Sequence, residues 1–209
     1  MAATTFNILT VCTGNICRSP LAEQLLALGL ADVPEVHVAS AGTQALVGKG
    51  MPEPSLAIAA SLGVPNAASH VSRQLTEEIV DGADLILAMS REHRRAIVEL
   101  NPRASKRVFT IREFARLASA TSDDDLRAEF VPGPFSGPVS TDPAGRMRAA
   151  TAAATVSRSL VAQTESPEDD DVVDPYRQSH AVYEQSAAEL KPAVDATVRY
   201  LRNALLVEV

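Results

Sequence analysis

The sequence predicts an α/β fold, a parallel sheet held between layers of helices. Two observations carry that prediction. Apolar runs of strand length alternate along the chain with helical periodicities, as they do when each strand is followed by a crossover helix. The first of these runs also ends in a short Gly-containing loop that opens directly into a helical pattern. A strand, a turn and a helix N-terminus in that order form a natural anion cradle.

The elements follow in order. Phe6–Val11 is apolar enough to be a strand buried on both faces. Leu21–Leu30 has a helical pattern, with Pro20 suited to a first helical turn. Val36–Ala41 reads as the second strand, and Ser55–Leu62 as a helix after the Pro52 and Pro54 turn. Leu85–Met89 reads as the third strand. Ser90 is placed to cap a helix that reaches about Leu100, where Asn101-Pro102 stops it. Val108–Thr110 reads as the fourth strand and Ile111–Leu117 as a short helix. Tyr183–Leu206 closes the chain as a helix, with Pro192 expected to kink it or mark a restart.

Composition bounds the function. The chain has 209 residues, 46% of them hydrophobic and 22% charged, which suits one domain with a substantial core. A net charge of −7 argues against nucleic acid, whose phosphates call for basic patches. The first five residues, Met1 to Thr5, show no basic and apolar leader, and no apolar run approaches membrane-spanning length. Two cysteines are too few for a disulfide framework or a zinc site, so no metal or cofactor is expected. A free thiol fits a reducing compartment, the cytoplasm.

The chemistry concentrates in Val11-Cys12-Thr13-Gly14-Asn15-Ile16-Cys17-Arg18-Ser19-Pro20. A cysteine is a useful nucleophile only as thiolate. Inward loop amides, the positive end of the following helix and the fixed cation of Arg18 would all favour that form of Cys12. Gly14 allows close backbone approach to an anion, and Asn15 tolerates a left-handed backbone. Arg18 offers paired planar donors for two phosphate oxygens. Ser19 can cap the helix or donate to sulfur. Together these residues can hold a phosphoryl group and attack it. The alternative for the motif is a buried structural cysteine beside a surface arginine.

On these residues the chain resembles the low-molecular-weight protein tyrosine phosphatases. The resemblance rests on VCTGNICRSPLAE at 11–23, Ser40-Ala41-Gly42-Thr43, His70-Val71-Ser72-Arg73-Gln74-Leu75, Asp84-Leu85-Ile86-Leu87-Ala88-Met89 and Asp174-Pro175-Tyr176. Ala45-Leu46-Val47-Gly48-Lys49-Gly50 is similar to the bacterial Wzb/Etp-like subgroup. The resemblance implies a small doubly wound four-stranded sheet in a single domain, and hydrolysis of protein phosphotyrosine without a cofactor. It makes Cys12 the nucleophile of a phosphocysteine intermediate, Arg18 the phosphate clamp and Asp174 the general acid and then base. It implies phosphate binding by Thr13, Gly14, Asn15, Ile16, Cys17 and Ser19, and bracing of the loop by Asn15, Ser19, Ser40 and His70. Subgroup analogy points to a tyrosine autokinase of exopolysaccharide export as the protein partner. Arginine phosphatases of the family carry threonine where Ile16 stands, which sets this chain with the tyrosine enzymes. Arsenate reduction on the same scaffold needs two further cysteines, of which only Cys17 exists. A non-catalytic phosphotyrosine-binding module is the third reading.

Several residues carry two readings each. Asp174-Pro175 is also an ordinary turn initiator. Tyr176 can stack on a substrate ring or simply anchor its loop. Leu46 occupies a place where many relatives put an aromatic wall, or is a plain apolar loop residue. Cys17 can shield Cys12 as a reversible disulfide or pack under the loop. Residues 118–171 depart from the family pattern, which has only a short connection there. Ser119–Pro143, with Pro132-Gly133-Pro134 and Gly137-Pro138, reads as irregular, and Ala144–Gln163 as a helix. The acidic run Glu168-Asp169-Asp170-Asp171 precedes Asp174. The insert is either a lid whose charge raises the pKa of Asp174 and repels acidic substrates, or a solvated linker.

Overall fold

A computed structural model of the chain describes residues 5–131 and 141–208. Four parallel strands form one sheet: β1 (Phe6–Cys12), β2 (Val36–Gly42), β3 (Leu85–Ala88) and β4 (Val108–Thr110), in the spatial order β2-β1-β3-β4. β1 is central, pairing Val11 with Ala41 on one side and with Ala88 on the other. The order reverses at β1, and the crevice beyond the carboxyl end of such a strand is where sheets of this kind bind ligands. The helices are α1 (Arg18–Gly29), α2 (Glu53–Ser61), α3 (Glu77–Asp81), α4 (Arg91–Leu100), α5 (Ile111–Ala120), α6 (Asp123–Ala128), α7 (Pro143–Ser157) and α8 (His180–Leu206).

Strand alternation divides the core in two. Ile8, Leu85, Leu87 and Phe109 face the layer built from α1, α2, α5, α7 and α8. Leu9, Val11, Ile86, Ala88 and Val108 face Leu75, Val80 of α3 and Ile97 of α4. β1, β3 and β4 are buried on both faces, which is why they read as nearly continuous apolar runs. Local chemistry sets several helix starts. The Ser90 side chain accepts from the His93 N–H at the start of α4, and Thr110 and Glu113 form a reciprocal capping box on α5. Pro192 lies inside an unbroken α8 rather than ending it. Residue 192 and Ala188, whose carbonyl the proline leaves unpaired, are both exposed, so water can take the lost bond.

The insert is partly a core element. α5 runs three residues past the expected end, and α6 occupies part of the stretch that reads as irregular. The Pro132–Pro134 and Gly137-Pro138 turns lie outside the described residues. α7 begins near the expected residue but stops at Ser157, six short of Gln163. Met147, Ala150 and Ala154 are fully buried against α5 and α8, whereas Leu160 is exposed. Tyr200 of α8 donates its hydroxyl to the Ala150 carbonyl at 2.9 Å and packs edge-on to Phe114. At the foot of the sheet Arg148 pairs with Asp84 at 2.8 Å, while Asp84 also accepts from the Asn7 N–H. Neither the lid nor the solvated linker describes this helix. Truncating a buried side chain leaves a cavity that costs about 2–5 kcal/mol. Met147→Ala is therefore expected to lower unfolding stability by about that much in urea titration. A change within error would mean that α7 is not part of the cooperative unit.

Candidate active site

The loop between β1 and α1 owes its shape to where its carbonyls go. Those of Cys12, Thr13 and Gly14 accept from the N–H groups of Thr43, Gln44 and Leu46 at 2.9–3.0 Å. That of Asn15 accepts from His70 Nε2 at 2.7 Å. Within a trans peptide the C=O and N–H point in opposite directions. Four carbonyls turned outward therefore turn the N–H groups of Thr13, Gly14, Asn15 and Ile16 inward. The approach of residues 43–46 is close. A Cβ on Gly42 would lie 2.4 Å from the Thr13 carbonyl oxygen, so no other residue fits there. A Cβ on Gly14 would meet only ordinary contacts, from Ile16 at 3.5 Å and from Leu46. Glycine at 14 is thus not required by crowding within the protein.

Asn15 sits at φ 54°, in the left-handed region. Its Nδ2 donates to Ser19 Oγ at 3.0 Å and to Ser40 Oγ at 2.8 Å, while its Oδ1 accepts from the Arg73 N–H at 2.9 Å. Because Ser19 Oγ accepts there, its one proton is free for Cys12 Sγ, 3.0 Å away. Ser40 in turn donates to Glu23 Oε2 at 2.5 Å. His70 Nδ1 stands 3.8 Å from that carboxylate. Ser19 therefore serves the sulfur and not the helix start, since α1 begins at Arg18 without a side-chain cap.

A cleft of about 190 Å³ opens over the loop. Cys12, Thr13, Gly14, Ile16, Cys17, Arg18, Gln44, Leu46, Asp174 and Tyr176 line it. Arg18 is buried, and its Nη2 pairs with Asp174 at 2.7 Å while Nη1 donates to the Val172 carbonyl at 3.0 Å. Its Nε is buried without a hydrogen-bond partner among the described residues. An unpaired buried donor is costly, and an anion over the loop would satisfy it. No cluster of residues suited to a metal ion occurs among the described residues.

Cys17 is not a low-pKa thiol: burial pushes it up to about 11, opposed by a hydrogen bond from Ser55. Cys17 therefore keeps its proton at neutral pH. The acidic run does not bear on Asp174 as bare charge. Arg91 pairs with Glu168 at 2.8 Å and with Asp171 at 3.1 Å, and Arg116 pairs with Asp170 at 3.1 Å. Hydrogen bonds from Ser166, from the backbone N–H and then from Arg91 hold the Glu168 carboxyl down to about 2. No described residue of 141–171 lines the cleft.

Two residues of the site escaped the sequence reading, Gln44 at the cleft and His93 behind the loop. His93, in the first turn of α4, is buried with Nε2 2.8 Å from Thr13 Oγ1 and Nδ1 2.8 Å from Ser90 Oγ. Either tautomer of the neutral ring serves both hydroxyls. Only the Ser90 cap, three residues earlier, hinted at it.

Comparison with known proteins agrees with this geometry. Residues 7–133 match the family model of the low molecular weight phosphotyrosine protein phosphatases. The probable low molecular weight protein-tyrosine-phosphatase AmsI of Erwinia amylovora is 43% identical over 96 residues, 46% of this chain and 64% of that protein. The match thus spans just under two thirds of that relative's length. Its crystal structure superposes with a TM-score of 0.62 at 25% identity, covering 95% of both chains. Wzb of Escherichia coli K12 is 41% identical over 49% of this chain and 67% of its own. A protein-arginine-phosphatase of Geobacillus stearothermophilus is 37% identical over 68% of this chain and 86% of its own.

Burial, and then the charge of Arg18, lower His93 from 6.5 to about 4. A folded-state value below the unfolded one means that acid favours the unfolded chain. The stability this histidine contributes is complete above pH 6.5 and declines as pH falls from there to about 4. Across that window the wild type is expected to lose about 2–4 kcal/mol more stability than His93→Gln. Chemical unfolding at a series of pH values measures the difference. Parallel curves would contradict the assignment.

Proposed function

Because the chain belongs to the low molecular weight phosphotyrosine protein phosphatase family, we propose that it hydrolyses protein phosphotyrosine through a phosphocysteine intermediate. One observation carries this reading. The sulfur of Cys12, four inward loop N–H groups, the Arg18 guanidinium and the Asp174 carboxyl border one cleft. The phosphoryl group lies on the loop amides with Arg18 as a planar clamp, giving Nε its partner. Arg18 turns from Asp174 to the phosphate and frees the carboxyl to face the leaving oxygen. Sulfur attacks phosphorus, the bond to the phenolic oxygen breaks, and Asp174 supplies the proton that this oxygen takes up. Water then attacks the phosphocysteine while Asp174 accepts its proton, and the P–S bond breaks. Charge on the equatorial oxygens is held throughout by preoriented donors. The Ser19 proton steadies the sulfur when it leaves as thiolate.

Leu46 and Tyr176 stand at the cleft and form the walls for the tyrosine ring. The phosphotyrosine protein itself is a bacterial tyrosine autokinase, a reading that rests on the subgroup likeness at residues 45–50. A thiol nucleophile suits the reducing cytoplasm. No helix of the described residues is long and apolar enough to cross a membrane.

A second reading, phosphoarginine hydrolysis, draws on the Geobacillus relative. Ile16 counts against it, since this cleft-lining side chain offers no hydroxyl. Rates on phosphotyrosine and phosphoarginine peptides decide between them, and faster arginine dephosphorylation would reverse the assignment. Cys12→Ser is expected to abolish turnover while still binding phosphate. Asp174→Ala should cost about 10²–10⁴ in rate for poorly activated aryl phosphates and much less for p-nitrophenyl phosphate. Equal losses across leaving groups would exclude the acid role. Inactive wild-type protein would support the binding module, and thioredoxin-coupled arsenate reduction would support the reductase.

A further inference from the structure

Arg177 follows the cleft-lining Tyr176 and is exposed. Its backbone is left-handed at φ 60°, and among the described residues Asn15 alone of the other non-glycine residues has a positive φ. A tight turn, closed by the Gln178 N–H on the Pro175 carbonyl at 2.9 Å, puts it there. Asparagine visits that region easily, but a long side chain does so at a cost. Backbone outliers of this kind gather at binding sites.

Two further observations say what the side chain is for. The guanidinium lies 5.0 Å from the centroid of the Tyr176 ring, a cation–π contact that holds it beside the mouth. It also forms no ion pair among the described residues, as is true of the exposed Arg103 and Arg199, but it alone of these three stacks on a residue that lines the cleft. The acids nearest in sequence are already engaged. Asp174 pairs with Arg18, Glu168 and Asp171 pair with Arg91, and Glu184 faces His180. On a chain of net charge −7, an unpaired cation is thus stacked on the wall of the phosphate cleft.

We propose that Arg177 is a specificity residue that reads a carboxylate side chain next to the phosphotyrosine of the substrate. The proposal rests on the phosphatase reading above and extends it to a substrate class, phosphotyrosine flanked by Asp or Glu. Such a carboxylate pairs bidentately with the guanidinium while the phosphate occupies the loop. The stacked ring pre-orders the side chain, so less freedom is lost on binding. Arg91 and Arg116 compensate half the charge of the acidic run 168–171, and none of its residues lines the cleft, so the run bears only weakly on this preference.

The test compares two phosphotyrosine peptides that differ only in Glu or Gln at the neighbouring positions. At low ionic strength kcat/KM for the Glu peptide should exceed that for the Gln peptide by about threefold to tenfold, an advantage that shrinks in added salt. Arg177→Asn keeps a residue at ease with positive φ and should remove the preference, while Arg177→Lys should retain part of it. Equal kcat/KM values for the two peptides with wild type, or an undiminished preference in Arg177→Asn, overturn the role of Arg177 alone. Failure to hydrolyse either peptide overturns the phosphatase reading and this inference with it.

Discussion

The structure depends most on the outward turn of four successive carbonyls. Residues 12–15 place these groups on the N–H groups of 43, 44 and 46 and on the His70 ring. Since a peptide unit is planar and trans, its N–H has no choice but to face the cleft. An anion site is thereby built from backbone, which cannot be mutated away and does not titrate. The arrangement explains why β2 must run beside β1 as far as Gly42, and why Gly42 tolerates no side chain against the Thr13 carbonyl. Asn15 completes the brace, its left-handed backbone held by bonds to both ends of its amide.

The loop that carries Asp174 is held from the opposite side. The Val172 N–H donates to the Met89 carbonyl at 2.9 Å, the Val173 N–H to Glu189 at 2.8 Å, and Arg112 bonds the Asp171 carbonyl at 2.7 Å. Arg91 takes the Asp171 carboxylate in several contacts, and the Arg91 N–H adds another at 2.7 Å. Three residues further on, Asp174 reaches Arg18. The inserted segment thus contributes at two distances. α7 extends the core away from the cleft, and the turn at 167–170 fastens the approach to Asp174 without entering the cleft.

Charge is used locally. The excess of carboxylates does not set the potential at the mouth, because the acids closest to it are paired with arginines. Two buried groups beside the loop, Cys17 and His93, stay neutral instead. Burial keeps Cys17 a thiol and His93 uncharged, so Arg18 and the backbone dipoles face the cleft without a second buried cation beside them.

By itself the sequence determined what local pattern encodes: four strands by apolar runs, α1, α4 and α5 by periodicity, with the Ser90 cap at α4, and the Cys12 to Arg18 loop by its place between a strand and a helix. The family followed from that loop and from short segments at 40–43, 70–75 and 174–176. α3 escaped because five residues are too few to show a helical period. Only the tertiary structure decided which distant groups meet. Thr13 and His93, or Arg91 and Asp171, lie 80 residues apart, and no spacing rule joins them. The alanine-rich pattern of α7 announced a helix but not its seat against α8. Capping and periodicity act across a single turn, whereas the closure of a cleft depends on how whole layers pack, and that information is spread over the entire core.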